Sequence, residues 1–314
     1  MEARARMKGL NGSKDRSPDR VDGSAGPGSA SSSGDRLRAR DLTLAYDHRV
    51  IAEHLSVDIP DEGFTVIVGP NACGKSTLLR GLARMLTPTA GSVLLDGQTI
   101  NGYSTKEVAR RLGLLPQTAT APDGITVADL VARGRYPHQR LLRQWSSTDE
   151  KVVVESMAAT TVLDLADRAV DELSGGQRQR VWLAMALAQQ TPILLLDEPT
   201  TFLDIAHQIE MLDLCADLQA RQRRTVVAVL HDLNHACRYA THLIAMNGGR
   251  VVATGAPAEI VTAELVRDVF GLACRIIDDP ETGTPLIVPL ARQALVAPEL
   301  HHPDAPAPLT SVAG

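Results

Sequence analysis

The chain has 314 residues, 44% of them hydrophobic, and its 32 Lys and Arg against 37 Asp and Glu leave a formal net charge of −5 at pH 7. That length buries a substantial core in one large or two modest domains, and the mildly acidic balance argues against a general nucleic-acid binder. No stretch approaches the roughly 18 apolar residues of a membrane-crossing helix. The charges at Arg4, Arg6 and Lys8 are followed by no apolar segment of the kind that makes a secretory signal, so the expected location is the cytoplasm.

In chain order, residues 1–35 are rich in Gly, Ser and mixed charge and are expected to be disordered. An ordered α/β core is expected over residues 36–290. Leu37–Tyr46 alternates apolar and polar residues and 51–59 partly does so, which predicts antiparallel strands. Residues 64–68 form an apolar strand running into Gly69, and Leu78, Leu79, Leu82 and Leu86 give helical spacing over 76–86. A mainly helical insert, broken at Pro137, is expected over about residues 118–172. Strand patterns return at 193–196 and 226–230, and Asn247-Gly248-Gly249 between two β-like runs predicts a hairpin. Residues 291–314, punctuated by Pro298, Pro303, Pro306 and Pro308, are expected to form a flexible tail. No internal repeat is present.

Gly69-Pro70-Asn71-Ala72-Cys73-Gly74-Lys75-Ser76, followed by Thr77, fits G-x-x-x-x-G-K-S between a strand and a helix. Such a loop turns backbone N–H groups around phosphate oxygens and adds the helix dipole. Lys75 is expected to reach the β- and γ-phosphates of ATP, and the Ser76 hydroxyl to serve Mg²⁺, a hard cation that takes oxygen ligands. Cys73 is a filler of the loop, with thiol modification blocking ATP as a second reading that needs an exposed, thiolate-prone sulfur. Asp197 and Glu198 end an aliphatic strand where ligands of open α/β sheets gather. Successive residues there point in different directions, which assigns Asp197 to the Mg²⁺ shell and Glu198 to the attacking water. His231 follows another strand and is placed to hold that water against the γ-phosphate.

Leu173-Ser174-Gly175-Gly176-Gln177 resembles the signature peptide of ATP-binding-cassette (ABC) ATPases and precedes a helical pattern over 178–190. The resemblance implies a P-loop NTPase fold of the ABC type, with an antiparallel β subdomain and a helical subdomain. It also implies a head-to-tail dimer with a second copy of the chain, in which Ser174, Gly175, Gly176 and Gln177 of one copy close on the nucleotide held by the other. Tyr46 matches the aromatic that stacks on adenine, and Gln117 the glutamine that touches Mg²⁺ and water and relays nucleotide state to the helical insert. Asp204 matches the aspartate of a loop at the dimer interface, and His231 the switch histidine. The likeness runs over about residues 37–290.

Gly134-Arg135-Tyr136-Pro137-His138, the run from Ala184 to Gln189, and Thr200-Thr201-Phe202-Leu203-Asp204 are most similar to ATPase subunits of bacterial iron–siderophore importers, with haem and vitamin B12 importers as alternatives. The implied partners are transmembrane permease subunits gripped by the helical insert near Gln117 and Tyr136, an extracytoplasmic substrate-binding protein reached indirectly, and no nucleic acid. The implied place is the cytoplasmic face of the membrane. A soluble ABC ATPase acting on nucleic acid or ribosomes is the reading from another class, disfavoured because neither heptads nor a second cassette is present. Other features read blandly. The four cysteines have no paired spacing, and Cys215, Cys237 and Cys274 are small buried hydrophobes. Trp145 and Trp182 are core or interface aromatics, Asp149-Glu150-Lys151 is a solvated helix start, and His301-His302 is an exposed pair.

Overall fold

The computed structural model describes residues 35–47, 49–139 and 145–291. The expected disorder of the first 34 residues, the expected tail beyond residue 291 and the His301-His302 pair lie outside the described residues.

Strands β1 (Leu37–Tyr46) and β2 (Arg49–Ile59) pair antiparallel, Leu37 opposite Ile59, with register shifts along their length. Strand β3 (Phe64–Val68) leads into α1 (Lys75–Leu82), after which β4 (Ala90–Leu95) joins the free edge of β1 and the short β5 (Gln98–Thr99) joins β4. Helix α1 stops four residues short of the expected end. Arg84 takes a left-handed φ of 59°, and its guanidinium donates to the carbonyls of Ile100 and Tyr103 instead of continuing the helix face.

Helix α2 (Thr105–Arg111) and β6 (Leu112–Leu115) precede the helical insert, which holds α3 (Val127–Ala132), a 3₁₀ segment over Arg133–His138, and α4 (Ser147–Ala159). Helix α5 (Gly175–Ala188) starts directly after Ser174, whose hydroxyl accepts from Gln177 N–H while the Gln177 side chain accepts from Ser174 N–H, a capping box. The remaining order is β7 (Ile193–Asp197), α6 (Ile205–Gln222), β8 (Thr225–Val229), α7 (Leu233–Tyr239), β9 (His242–Asn247), β10 (Arg250–Gly255), α8 (Pro257–Ile260), α9 (Ala263–Phe270), β11 (Cys274–Asp278) and β12 (Pro285–Pro289). The predicted hairpin at Gly248-Gly249 joins β9 to β10.

The central six-stranded sheet runs β10-β9-β3-β8-β7-β6, parallel except for the edge strand β10. Strands β3, β7 and β8 are buried at every position, which is why they read as unbroken apolar runs. Their period of two still sorts side chains to opposite faces. Phe64, Val66, Leu194 and Leu196 join a core with the helical insert and the C-terminal elements, while Ile67, Ile193 and Leu195 join a second core with α1 and the antiparallel β1–β2–β4 sheet.

All four cysteines are free and buried, Trp182 is buried in α5, and Trp145 is 38% exposed. The expectation for Asp149 is corrected. It does sit at a helix start, in a capping box with Ser146, but it is 8% exposed and pairs with the equally buried Arg135. Its partner Arg135 is held in turn by the Ala188 carbonyl at the end of α5, 53 positions beyond Arg135, so the sequence near Asp149 does not disclose the burial.

Candidate active site

Four of the parallel strands deliver their functional residues to one edge of the sheet, at their C-terminal ends. Strand β3 runs into the loop beginning at Gly69, β7 ends on Asp197 with Glu198 next, β8 is followed two residues later by His231, and β6 two residues later by Gln117. This is where an open α/β sheet leaves room for a ligand.

The loop closes tightly on the sheet. Gly69 has φ +154°, and a Cβ built there would lie 2.2 Å from the Met246 carbonyl oxygen and 2.8 Å from Cys73 Sγ, so no side chain fits. Lys75, 5% exposed, donates its ammonium to the carbonyls of Gly69 and Pro70, each at 2.9 Å, which folds its stem back over the loop. Pro70, Asn71 and Ala72 carry the turn, Ala72 at a left-handed φ of 60°, and Gly74 caps α1, whose first residues are Lys75, Ser76 and Thr77. Cys73 is only 5% exposed and burial pushes its thiol pKa up, so the thiol-modification reading is not supported: the sulfur packs inward and stays protonated.

The two acidic residues face different partners. Ser76 Oγ donates to Asp197 Oδ1 at 2.7 Å, while Asp197 Oδ2 is buried with no hydrogen-bond partner. Burial pushes the Asp197 carboxyl above its usual range, partly offset by the Ser76 bond and the charge of Arg80. Glu198 turns the other way. Its Oε2 accepts from Gln117 Nε2 at 2.6 Å and from Thr201 Oγ1 at 3.3 Å, and its Oε1 lies 2.7 Å from His231 Nε2. Gln117 and Glu198, 81 residues apart in sequence, thus meet in one constellation with His231.

One predicted member, Tyr46, joins from the side. Tyr46, 39% exposed, accepts at its hydroxyl from Arg80 Nη1 at 3.1 Å, and Arg80 lies on α1 one turn beyond Ser76. Arg80 and Thr201 are the functional neighbours that motif reading misses; the spacing of Arg80 from Ser76 on one helix face was the available signal. The signature residues Ser174 to Gln177 form the first turn of α5 instead and pack against residues 202–203: a Cβ on Gly176 would lie 3.1 Å from Leu203 Cδ2. Asp204 caps α6, accepting from His207 N–H at 2.9 Å, with His207 Nδ1 2.6 Å away. The structure therefore groups the loop, Asp197, Glu198, Gln117 and His231 in one place, and the signature turn beside Phe202 and Leu203 in another.

The oxygen donors Ser76 and Asp197, with one carboxylate oxygen buried and unpaired, suit a hard divalent cation better than a soft one. Among the described residues no group of three His, Cys, Asp or Glu could hold a metal on its own, so such a cation would need oxygens from a phosphate ligand as well.

A phosphate-cradling loop between strand and helix, an acidic pair at the end of β7, one strand removed across β8, and a polar residue after each strand flanking β7 define a P-loop nucleoside triphosphatase. Residues 52–201 match the family model described as ABC transporter. The chain is 61% identical to the ferric enterobactin transport ATP-binding protein FepC of Escherichia coli (strain K12), over 82% of this chain and 96% of that protein. It is 52% identical to the achromobactin transport ATP-binding protein CbrD of Dickeya dadantii (strain 3937), over 82% and 96%. Among solved structures it resembles an ATP-binding cassette dimer in a post-hydrolysis state bound to ADP and Pi, with a TM-score of 0.63, 26% identity and coverage of 70% of this chain and 98% of that one. The chain belongs to the ABC transporter ATP-binding family and is an ATP-binding, ATP-hydrolysing member of it.

Proposed function

We propose that the chain is the ATPase subunit of an importer for iron–siderophore complexes, working as a head-to-tail dimer on the cytoplasmic face of the membrane. The observation that carries the ATPase half is the meeting of Glu198, Gln117 and His231 beside the Lys75 loop. The cargo class rests on nearly full-length likeness to relatives named for siderophore transport.

In this reading the loop amides and Lys75 bind the β- and γ-phosphates, Tyr46 stacks on adenine, and Glu198 takes the proton of the attacking water. His231 and Gln117 hold Glu198 and that water in line. Mg²⁺ would be held by Ser76 and Asp197, with Gln117 at its edge, and would neutralise charge on the transferring phosphoryl group. Ser174, Gly175, Gly176 and Gln177 of the second copy close on the γ-phosphate with N–H groups and a helix dipole, and Asp204 lines the same interface. Among the described residues no helix is long and apolar enough to cross a membrane, and in this reading a separate permease carries the path. A groove of ≈ 560 Å³ lined by Asp129, Ala132, Arg133, Tyr136, Gln139 and Trp145, with Tyr136 74% exposed, is the place for a cytoplasmic helix of that permease. An extracytoplasmic binding protein would deliver the cargo to it.

The test is to purify the tagged chain from membranes and measure uptake of a radiolabelled ferric siderophore in cells carrying Lys75→Ala. A co-purifying polytopic protein and lost uptake support the reading. Ribosomal or nucleic-acid partners, or uptake unchanged while haem or cobalamin uptake fails, overturn the assignment.

A further inference from the structure

Among the ion pairs of the described residues, Arg135–Asp149 is the one with both partners buried, at 4% and 8% exposure. Arg135 Nε donates to Asp149 Oδ1 at 2.9 Å, and its Nη1 donates to the Ala188 carbonyl at 2.7 Å and to Gln190 Oε1 at 2.9 Å. The other carboxylate oxygen, Asp149 Oδ2, accepts from the Ser146 hydroxyl at 2.7 Å and the Ser146 N–H at 3.1 Å. Burial raises the Asp149 carboxyl, but the bonds from Ser146 and Arg135 outweigh it and hold the group below its usual range. Both carboxylate oxygens and the Nε and Nη1 of the guanidinium thus have partners, the kind of compensation a buried pair requires.

What the pair joins is more telling than its strength. Arg135 belongs to the 3₁₀ segment whose next residue, Tyr136, lines the outer groove, and Asp149 opens α4 close after Trp145, another lining residue. The carbonyl Arg135 grips ends α5, whose first turn is the signature peptide, 14 residues and about 21 Å away. Two further contacts fix the same joint. A Cβ on Gly134 would lie 2.2 Å from the Met185 carbonyl oxygen, and His138 Nε2 lies 2.8 Å from the Gln189 carbonyl oxygen.

We propose that Arg135 and Asp149 are positioning residues that make the groove and the signature helix move as one piece, so that what sits in the groove is felt at Ser174. The proposal rests on the reading of the groove as the permease site. A hydrophobic replacement of matched volume can keep a buried pair's stability, but it cannot keep the directional grip on the end of α5. Stability and transmission are therefore separable.

The experiment uses Arg135→Met/Asp149→Leu in a Trp182→Phe background, where Trp145 is the sole tryptophan of the chain. In the parent, ATP changes Trp145 emission. In the double variant that change falls about fivefold or more, as does stimulation of ATPase by the co-purified polytopic membrane protein in liposomes. Basal turnover and the KM for ATP of the isolated chain stay within about a factor of two, as expected for distant sites. If the double variant fails to fold, Asp149→Asn, isosteric but uncharged, is read in the same way. An unchanged emission response and unchanged stimulation overturn the proposal, as does a parent in which Trp145 never senses ATP. If the membrane protein fails to stimulate the parent, the permease reading falls, while the emission response still decides whether the joint transmits.

Discussion

Replacing Glu198 by Gln removes the proposed base while leaving its shape. The two carboxylate oxygens now face different donors, Gln117 and Thr201 at Oε2 and His231 at Oε1. A Gln side chain has one oxygen, which must face Gln117 and Thr201, since Gln117 Nε2 is a donor only. Its NH₂ then faces His231 Nε2, which can accept in the other tautomer. Every hydrogen bond is thus kept, and the fold should lose no more than the worth of an ordinary one, about 1 kcal/mol. Losing general-base help slows hydrolysis about 10²–10⁴-fold, which is about 3–5 kcal/mol of barrier. Single-turnover phosphate release at saturating ATP measures this, and gel filtration should show an ATP-dependent dimer that persists because hydrolysis no longer reopens it. Turnover within threefold of the parent would refute the assignment of Glu198.

Four further outcomes follow from the same geometry. Arg80→Met, which leaves the Tyr46 hydroxyl unheld, should weaken ATP about two- to fivefold, as an exposed hydrogen bond does, without weakening inorganic tripolyphosphate; isothermal titration with both ligands checks it. Asp149→Ala alone, which strands Arg135 in the core, should destabilise by about 3–5 kcal/mol and lower the melting temperature by about 10 °C, read by circular dichroism. Because the folded Asp149 carboxyl lies below its unfolded value, its contribution is complete above the usual carboxylate range near pH 4 and is lost as pH falls through the lower folded value. The parent should therefore show an acid-side loss of stability below about pH 4 that is smaller in the double Met/Leu variant. Cys73, buried with a raised pKa, should resist iodoacetamide at pH 7 in the folded protein and react only on unfolding, as followed by mass spectrometry.

Chemistry in this fold gathers at strand ends, which is why much of the site could be read from the sequence. The loop at Gly69, the pair at Asp197 and Glu198 and the histidine at 231 each follow an apolar run that only a buried parallel strand explains. Contacts between distant segments were not legible. Nothing near Glu198 says that Gln117 lies 2.6 Å away, and nothing near Arg135 says that it grips the Ala188 carbonyl at the end of α5. Arg84 shows a local limit: leucine spacing continued the helix to residue 86, yet a tertiary grip on Ile100 and Tyr103 turned the chain at left-handed φ. Helix α6 is a different case, since Met211, Leu212, Cys215 and Leu218 carry readable helical spacing. The β11–β12 hairpin offered little pattern, because most of its residues are partly or fully exposed.

Glu198 also has a backbone φ of 54°, in the left-handed region that Glu seldom occupies. Such a conformation costs of order 1–3 kcal/mol, and Asn or Gly would be more comfortable there. The position therefore sets conformational ease against activity: a screen for heat-resistant variants should favour Glu198→Gly or Glu198→Asn, and each such variant should hold its fold at higher temperature while leaving ATP bound and uncut.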